Sequence, residues 1–192
     1  MPGLGEVTDA RARRILEDNG SYTLHGRVTK SRPFEVWEAD LVDVPRTREE
    51  PRQNKYILCI VDVHSKHAMV RVVDRKEPTA VAEALQSIIE ENVPRHTCLN
   101  AIRTDASIEF FNRYCRERVY KPFGINHYRC QKEPGASAVG CFIHTMTRSM
   151  TRYVSRHPNT TQAQLLAMVQ DFANPVTRAY INDGFHDLDE NK

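Results

Sequence analysis

Apolar residues arrive along this chain in bursts whose spacing separates strands from helices. Between Pro33 and Pro45 they recur from Val36 to Val44, which predicts a strand. A charged, proline-bearing loop over 45–54 follows. Lys55 to His64 carries the run Tyr56 to Val63, apolar at every position but Asp62, the signature of a central strand buried on both faces. Ala68 to Val73 is a β-branched run joined to it by a short turn at Ser65-Lys66-His67, so the first three strands form an antiparallel meander. The period then changes. Val81, Ala84, Leu85, Ile88 and Ile89 share one face at helical spacing, with Thr79 as the cap and Glu83 near the first turn. Leu99 to Thr104 predicts a fourth strand that ends at Asp105. Ile108 to Arg118 reads as a helix with Phe110, Phe111, Tyr114 and Cys115 on its apolar side, and Ile125 to Arg129 as a fifth strand. A loop from Gln131 to Ala138 contains Pro134 and Gly135. A long helix runs from about Val139 to Arg156, and a last one from Thr160 or Thr161 through Leu165, Val169 and Phe172 to Pro175. The order β-β-β-α-β-α-β-α-α implies an α/β domain, a mixed five-stranded sheet flanked by helices. Residues 1–33 read as an N-terminal extension, 34–181 as the core and 182–192 as an acidic tail.

Composition narrows the function classes more than it selects one. The formal net charge is only +2 over 192 residues, so any polyanion partner must be met by local clusters. Five cysteines without a Cys-x-x-Cys pair argue against a disulfide framework and a cysteine-rich zinc site, and are expected to be small buried hydrophobes. No apolar run approaches the roughly 20 residues that span a bilayer, so no membrane partner is expected. Met1 to Gly20 lacks the apolar centre of a signal peptide. A soluble protein of a reducing compartment is the expectation; a nuclear or intracellular place follows only if the chain is of eukaryotic or viral origin.

Two groups of residues carry candidate chemistry. Arg148, Arg152 and Arg156 repeat every fourth residue on the long helix, with Arg129 and Lys132 nearby. They read either as a stripe along a DNA backbone or as a solvated helix face. Asp40 and Asp105 stand on or just beyond strands, where each has a bland reading too: a surface aspartate for Asp40, a helix cap for Asp105. His64 and His67 read as turn residues and Trp37 as core.

The segments that hold these aspartates resemble the retroviral-type integrase catalytic core, an RNase H-like fold. Val36 to Asp43 is similar to its first catalytic strand, Tyr56 to His67 to its second strand and turn, Thr104-Asp105 with Glu109-Phe110-Phe111-Asn112 to its second motif, and Val139 to Arg148 to its third-motif helix. Trp37-x-Ala39-Asp40-Leu41-Val42-Asp43 is nearest in flavour to integrases of Maverick (Polinton) transposons and related viruses. The resemblance implies DNA integration by phosphoryl transfer, with Asp40 and Asp105 binding Mg2+ or Mn2+, DNA held by Lys132, Arg148, Arg152 and Arg156, and assembly into a homodimer or higher oligomer. It also implies a structural role for Asp62, and a helix-borne glutamate where this chain has Gly140. Ser107 stands where the family has glycine, and Phe172-Ala173-Asn174-Pro175 departs from the family's last helix. Glu133, Glu109 or His144 could stand in for the missing ligand. The sequence therefore leads to a DNA-binding integrase-like core with impaired catalysis, or alternatively to an inactive, repurposed fold that binds DNA or protein.

Overall fold

The structure is a computed structural model and describes residues 32–45, 47, 55–129 and 137–174. Five strands form one sheet in the order β3-β2-β1-β4-β5. They are β1 (Val36–Asp43), β2 (Tyr56–Asp62), β3 (Ala68–Val73), β4 (Ala101–Thr104) and β5 (Asn126–Arg129). The first three pair antiparallel; β4 runs parallel to both β1 and β5. The helices are α1 (Pro78–Asn92), the short α2 (Arg113–Cys115), α3 (Ala138–Arg156) and α4 (Gln162–Ala167). The expected order of elements is the observed one.

Strand alternation deals the apolar residues into two layers. Leu58 and Ile60 of β2 join Trp37 and Ala39 of β1 under α1, whose Val81, Leu85, Ile88 and Ile89 are all buried. Ile57, Cys59 and Val61 face the other way, onto Val139, Phe142, Met146 and Met150 of α3 and Leu165 of α4. Burying side chains of this size contributes about 1.5–3 kcal/mol each, so a strand apolar on both faces is what the two-layer cover requires. Trp37 is core, as expected, at 0% exposure. Asp62 is structural in a specific way. Its carboxylate accepts Trp37 Nε1–H at 3.0 Å, the Phe34 amide at 2.8 Å, and the His64 and Ser65 amides at 3.0 and 2.7 Å. It thereby ties the entry of β1 to the β2–β3 turn and holds Phe34 at a φ of 66°.

Four expectations are corrected. α1 starts two residues earlier than a Thr79 cap implies: Glu77 is the cap residue, without a side-chain cap bond, and Pro78 supplies a pre-set φ at the first position. Ile108 to Arg118 is not one helix. Turns over 108–112 lead to α2, which widens at once into a π-helical turn, Arg116–Tyr120, with the Lys121 amide donating to the Arg116 carbonyl at 3.0 Å. Phe111 and Tyr114 are consequently exposed, while Phe110 and Cys115 are buried. The cysteines divide: Cys59 and Cys115 are buried, Cys98 and Cys141 exposed.

Candidate functional site

β1 brings two carboxylates to one face of the sheet. With Trp37 and Ala39 turned toward α1, the alternate residues Glu38, Asp40 and Val42 face the α3 side. Cys59, the cross-strand partner of Asp40, lies in the α3 layer, and burial together with the charge of Asp40 pushes its thiol far up. The parallel register pairs Glu38 with Arg103. Carried two residues along each chain, it sets Asp40 level with Asp105, just past the end of β4. By this register the two aspartates expected to act together lie one strand apart in the sheet order, Asp40 on β1 and Asp105 just past the end of β4. Asp40 Oδ1 accepts the Leu41 amide at 2.8 Å, and Asp105 Oδ1 accepts the Ser107 amide at 3.1 Å.

Gly140 is the third residue of α3. It is exposed, and its amide donates to the Oγ of the helix cap Ser137 at 3.3 Å. A Cβ there would meet only Ser137 atoms, at 3.5 and 3.6 Å, which is ordinary contact. The position has room for a side chain and supplies none. Of the residues that could stand in, His144 is exposed on the next turn. Glu109 is engaged by Lys76 at 3.3 Å. Partial burial works against its charge, but hydrogen bonds from its own backbone amide, Ser107 and Lys76 hold its carboxyl below the usual range. Glu133 and Lys132 lie outside the described residues.

The residue that sequence reasoning missed is Glu38, which is 2% exposed. Its carboxylate forms an ion pair with Arg103 and accepts both the Ser137 hydroxyl and the Val139 amide at 3.0 Å. One side chain therefore joins β1, β4 and the N-terminus of α3, where a negative charge also meets the positive end of the helix dipole. The available signal was an acid alternating with Asp40 on a buried strand, since buried carboxylates are almost always paired. Two lysines lie among different carboxylates, Lys66 near Glu38 and Asp62, Lys76 near Glu109, Asp105 and Asp43. Burial lowers the Lys66 ammonium, with Arg103 adding to the effect and Glu38, Asp62 and Cys141 opposing it. Partial burial also works against the charge of Lys76, yet Glu109, with Asp105 and Asp43, raises its ammonium above its ordinary value.

This donor set does not fit the two-ion site that the resemblance implies. Among the described residues no group of three or more His, Cys, Asp or Glu side chains gathers around one point. Asp40 and Asp105 are a pair without the helix-borne oxygen donor. Arg148, Arg152 and Arg156 are exposed on α3, away from its buried Phe142, Met146 and Met150. They extend along about 12 Å of helix.

No protein-family model and no curated protein matches the chain. Solved structures do. The HTLV-2 integrase catalytic core domain in complex with magnesium superposes in its dimeric form with a TM-score of 0.53 at 16% identity, covering 77% of this chain and 86% of that one. Its trimeric form gives 0.51 at 16% identity, over 77% and 84%. The simian T-cell lymphotropic virus intasome in complex with the PP2A regulatory subunit B56 gamma gives 0.55 at 17% identity. The fold is that of a retroviral integrase catalytic core. The match covers 71% of this chain but 47% of the intasome chain, so it spans about half of that protein's length. No helix among the described residues is long and apolar enough to cross a membrane.

Proposed function

We propose that this integrase-type core binds DNA and is impaired in polynucleotidyl transfer, because Gly140 leaves the carboxylate pair Asp40 and Asp105 without its third member. The observation that supports the reading is the geometry at α3: the helix start is anchored to Glu38, on the same strand as Asp40, and the third residue of the helix has space but no side-chain ligand. The reaction class is displacement at phosphorus by water or a DNA 3′-hydroxyl. In related chemistry even a group behind the metal ligands is worth about 10–100-fold, so losing a ligand itself should lower the rate by more. DNA contact falls to Arg148, Arg152 and Arg156, with Lys132 as a further candidate. A homodimer or larger assembly, a viral or Maverick-type origin, and a place beside DNA in the cell belong to the same proposal.

A second reading has its own support. Side-chain cations meet the acids in and around the site: Arg103 pairs with Glu38, Lys66 lies near Glu38 and Asp62, and Lys76 pairs with Glu109 near Asp105. That suits a fold retained as a binding module rather than an enzyme. Nicking and strand-transfer assays in Mg2+ and Mn2+, run beside duplex binding over a salt series, separate the two. Residual turnover abolished by Asp40→Asn supports the impaired enzyme; turnover absent throughout supports the module. In either case duplex affinity should fall with salt, and reversing Arg148, Arg152 and Arg156 should flatten the log–log slope by about 2–3. Salt-independent binding, or none, refutes the first reading and leaves of the second only a module that binds protein.

A further inference from the structure

A second surface, on the other side of the sheet from α3, has the makings of a ligand site. His127 of β5 pairs in register with Ile102, a residue of the α1 layer, and its Nε2 lies 2.9 Å from Thr104 Oγ1. Beside it opens a groove of about 870 Å3, walled by Phe111, Arg113, Arg116, Tyr120, Lys121 and His127. Among the described residues its lining contains three cations and no acid. Glu117, outside the lining, reaches Arg116 at 3.2 Å and Lys121 at 3.0 Å, which leaves the wall net positive. The π-helical turn is what brings Arg116 and Lys121 together, through the i to i+5 hydrogen bond.

The same wall offers flat faces. The His127 ring packs against Phe111 at 4.0 Å and against Tyr120 at 4.2 Å. Phe111 remains 43% exposed, and Tyr114 and Ile108 beside it are 52% and 71% exposed. Among the described residues these are the exposed large hydrophobics, and all fall within one short segment. Stacking rings beside guanidinium and ammonium groups are how proteins hold unpaired nucleotides, whose bases present π-faces and whose phosphates present charge. A duplex has no free base faces for such rings.

We propose that this groove takes a short stretch of single-stranded DNA, its bases stacking on Phe111 and its phosphates meeting Arg113, Arg116 and Lys121. The inference shares with the reading above only the class of ligand, since it uses a different surface and different residues. The test is fluorescence anisotropy of the full chain with a labelled oligothymidylate and, in parallel, a blunt duplex, each over a salt series. Phe111→Ala should weaken oligothymidylate binding about tenfold. Phe111→Trp should retain it, and Arg113→Glu should weaken it and flatten its salt dependence. All three should leave duplex affinity unchanged, whereas reversing Arg148 and Arg152 should do the opposite. Circular dichroism melting confirms that the variants fold. Oligothymidylate affinity unchanged in both Phe111→Ala and Arg113→Glu overturns the proposal, as does equal loss on both ligands. So does a change in sedimentation without a change in binding, which would mark the patch as a protein interface. Loss of duplex binding by the unaltered chain would count against the proposed function alone.

Discussion

Replacing Glu38 by alanine removes a carboxylate whose side chain is 3% exposed, and strands the partners it holds. Arg103, with its side chain 16% exposed, loses its counter-ion, and its Nε already has no hydrogen-bond partner among the described residues. The Val139 amide and Ser137 hydroxyl lose their acceptor at the start of α3. Breaking a buried ion pair from one side costs about 3–5 kcal/mol. An orphaned buried amide adds about 1–3 kcal/mol, part of which overlaps with the first loss. A net loss of about 4 kcal/mol is therefore expected, or roughly 8–16 °C in Tm for a domain of this size. The double variant Glu38→Ala/Arg103→Met has no stranded cation, and should regain about 2–3 kcal/mol of that loss. Urea and thermal unfolding of the two single variants and the double variant supply the cycle. A Glu38→Ala cost below about 1 kcal/mol, or single-variant effects that add to within about 0.5 kcal/mol, refutes the claim that this pair anchors α3 to the sheet.

Other consequences are simpler to check. Gly140→Glu should raise stability by about 0.5–1.5 kcal/mol, because it removes a helix glycine and completes a capping box with Ser137; denaturant midpoints measure it. Asp62→Ala should cost about 3 kcal/mol by leaving the buried Trp37 indole N–H and the Phe34 amide without acceptors, and Trp37 fluorescence follows the unfolding. Burial pushes the His127 imidazole down to about 4, so the folded chain resists its protonation. Stability from this residue is complete above the unfolded value near 6.5 and is lost as pH falls toward 4, because the unfolded state takes up the proton first. His127→Gln should flatten that acid limb by about 1–2 kcal/mol, a figure reduced for the partial exposure of the ring.

Much of this was legible in the sequence because the strands are patterned by burial. The apolar run at the start of β2 announced a strand covered on both faces, and the recurrence of apolar residues from Val36 to Val44 announced β1 with Trp37 in the core. The segment after Asp105 was not legible. Its buried residues Phe110, Cys115, Val119 and Tyr120 follow the wider spacing of a π-helical turn, and an α-helical template sends Phe111 and Tyr114 inward, where they do not belong. Glu38 was hidden for another reason. Local pattern cannot show that an acid on a strand has partners on β4 and α3, 65 and 101 residues away in the chain. The start of α1 shows the weaker pull of a threonine cap against a proline that fixes the first helical φ.

The central claim is that Asp40 and Asp105 stand side by side and lack only the ligand that Gly140 does not supply. Calorimetric titration of Mn2+ into the full chain and into Gly140→Glu, each with and without Asp40→Asn, addresses it directly. Gly140→Glu should bind Mn2+ at least tenfold more tightly than the unaltered chain, and adding Asp40→Asn should abolish that gain. Equal affinity in the two proteins, or tight binding by the unaltered chain that survives Asp40→Asn, would contradict it.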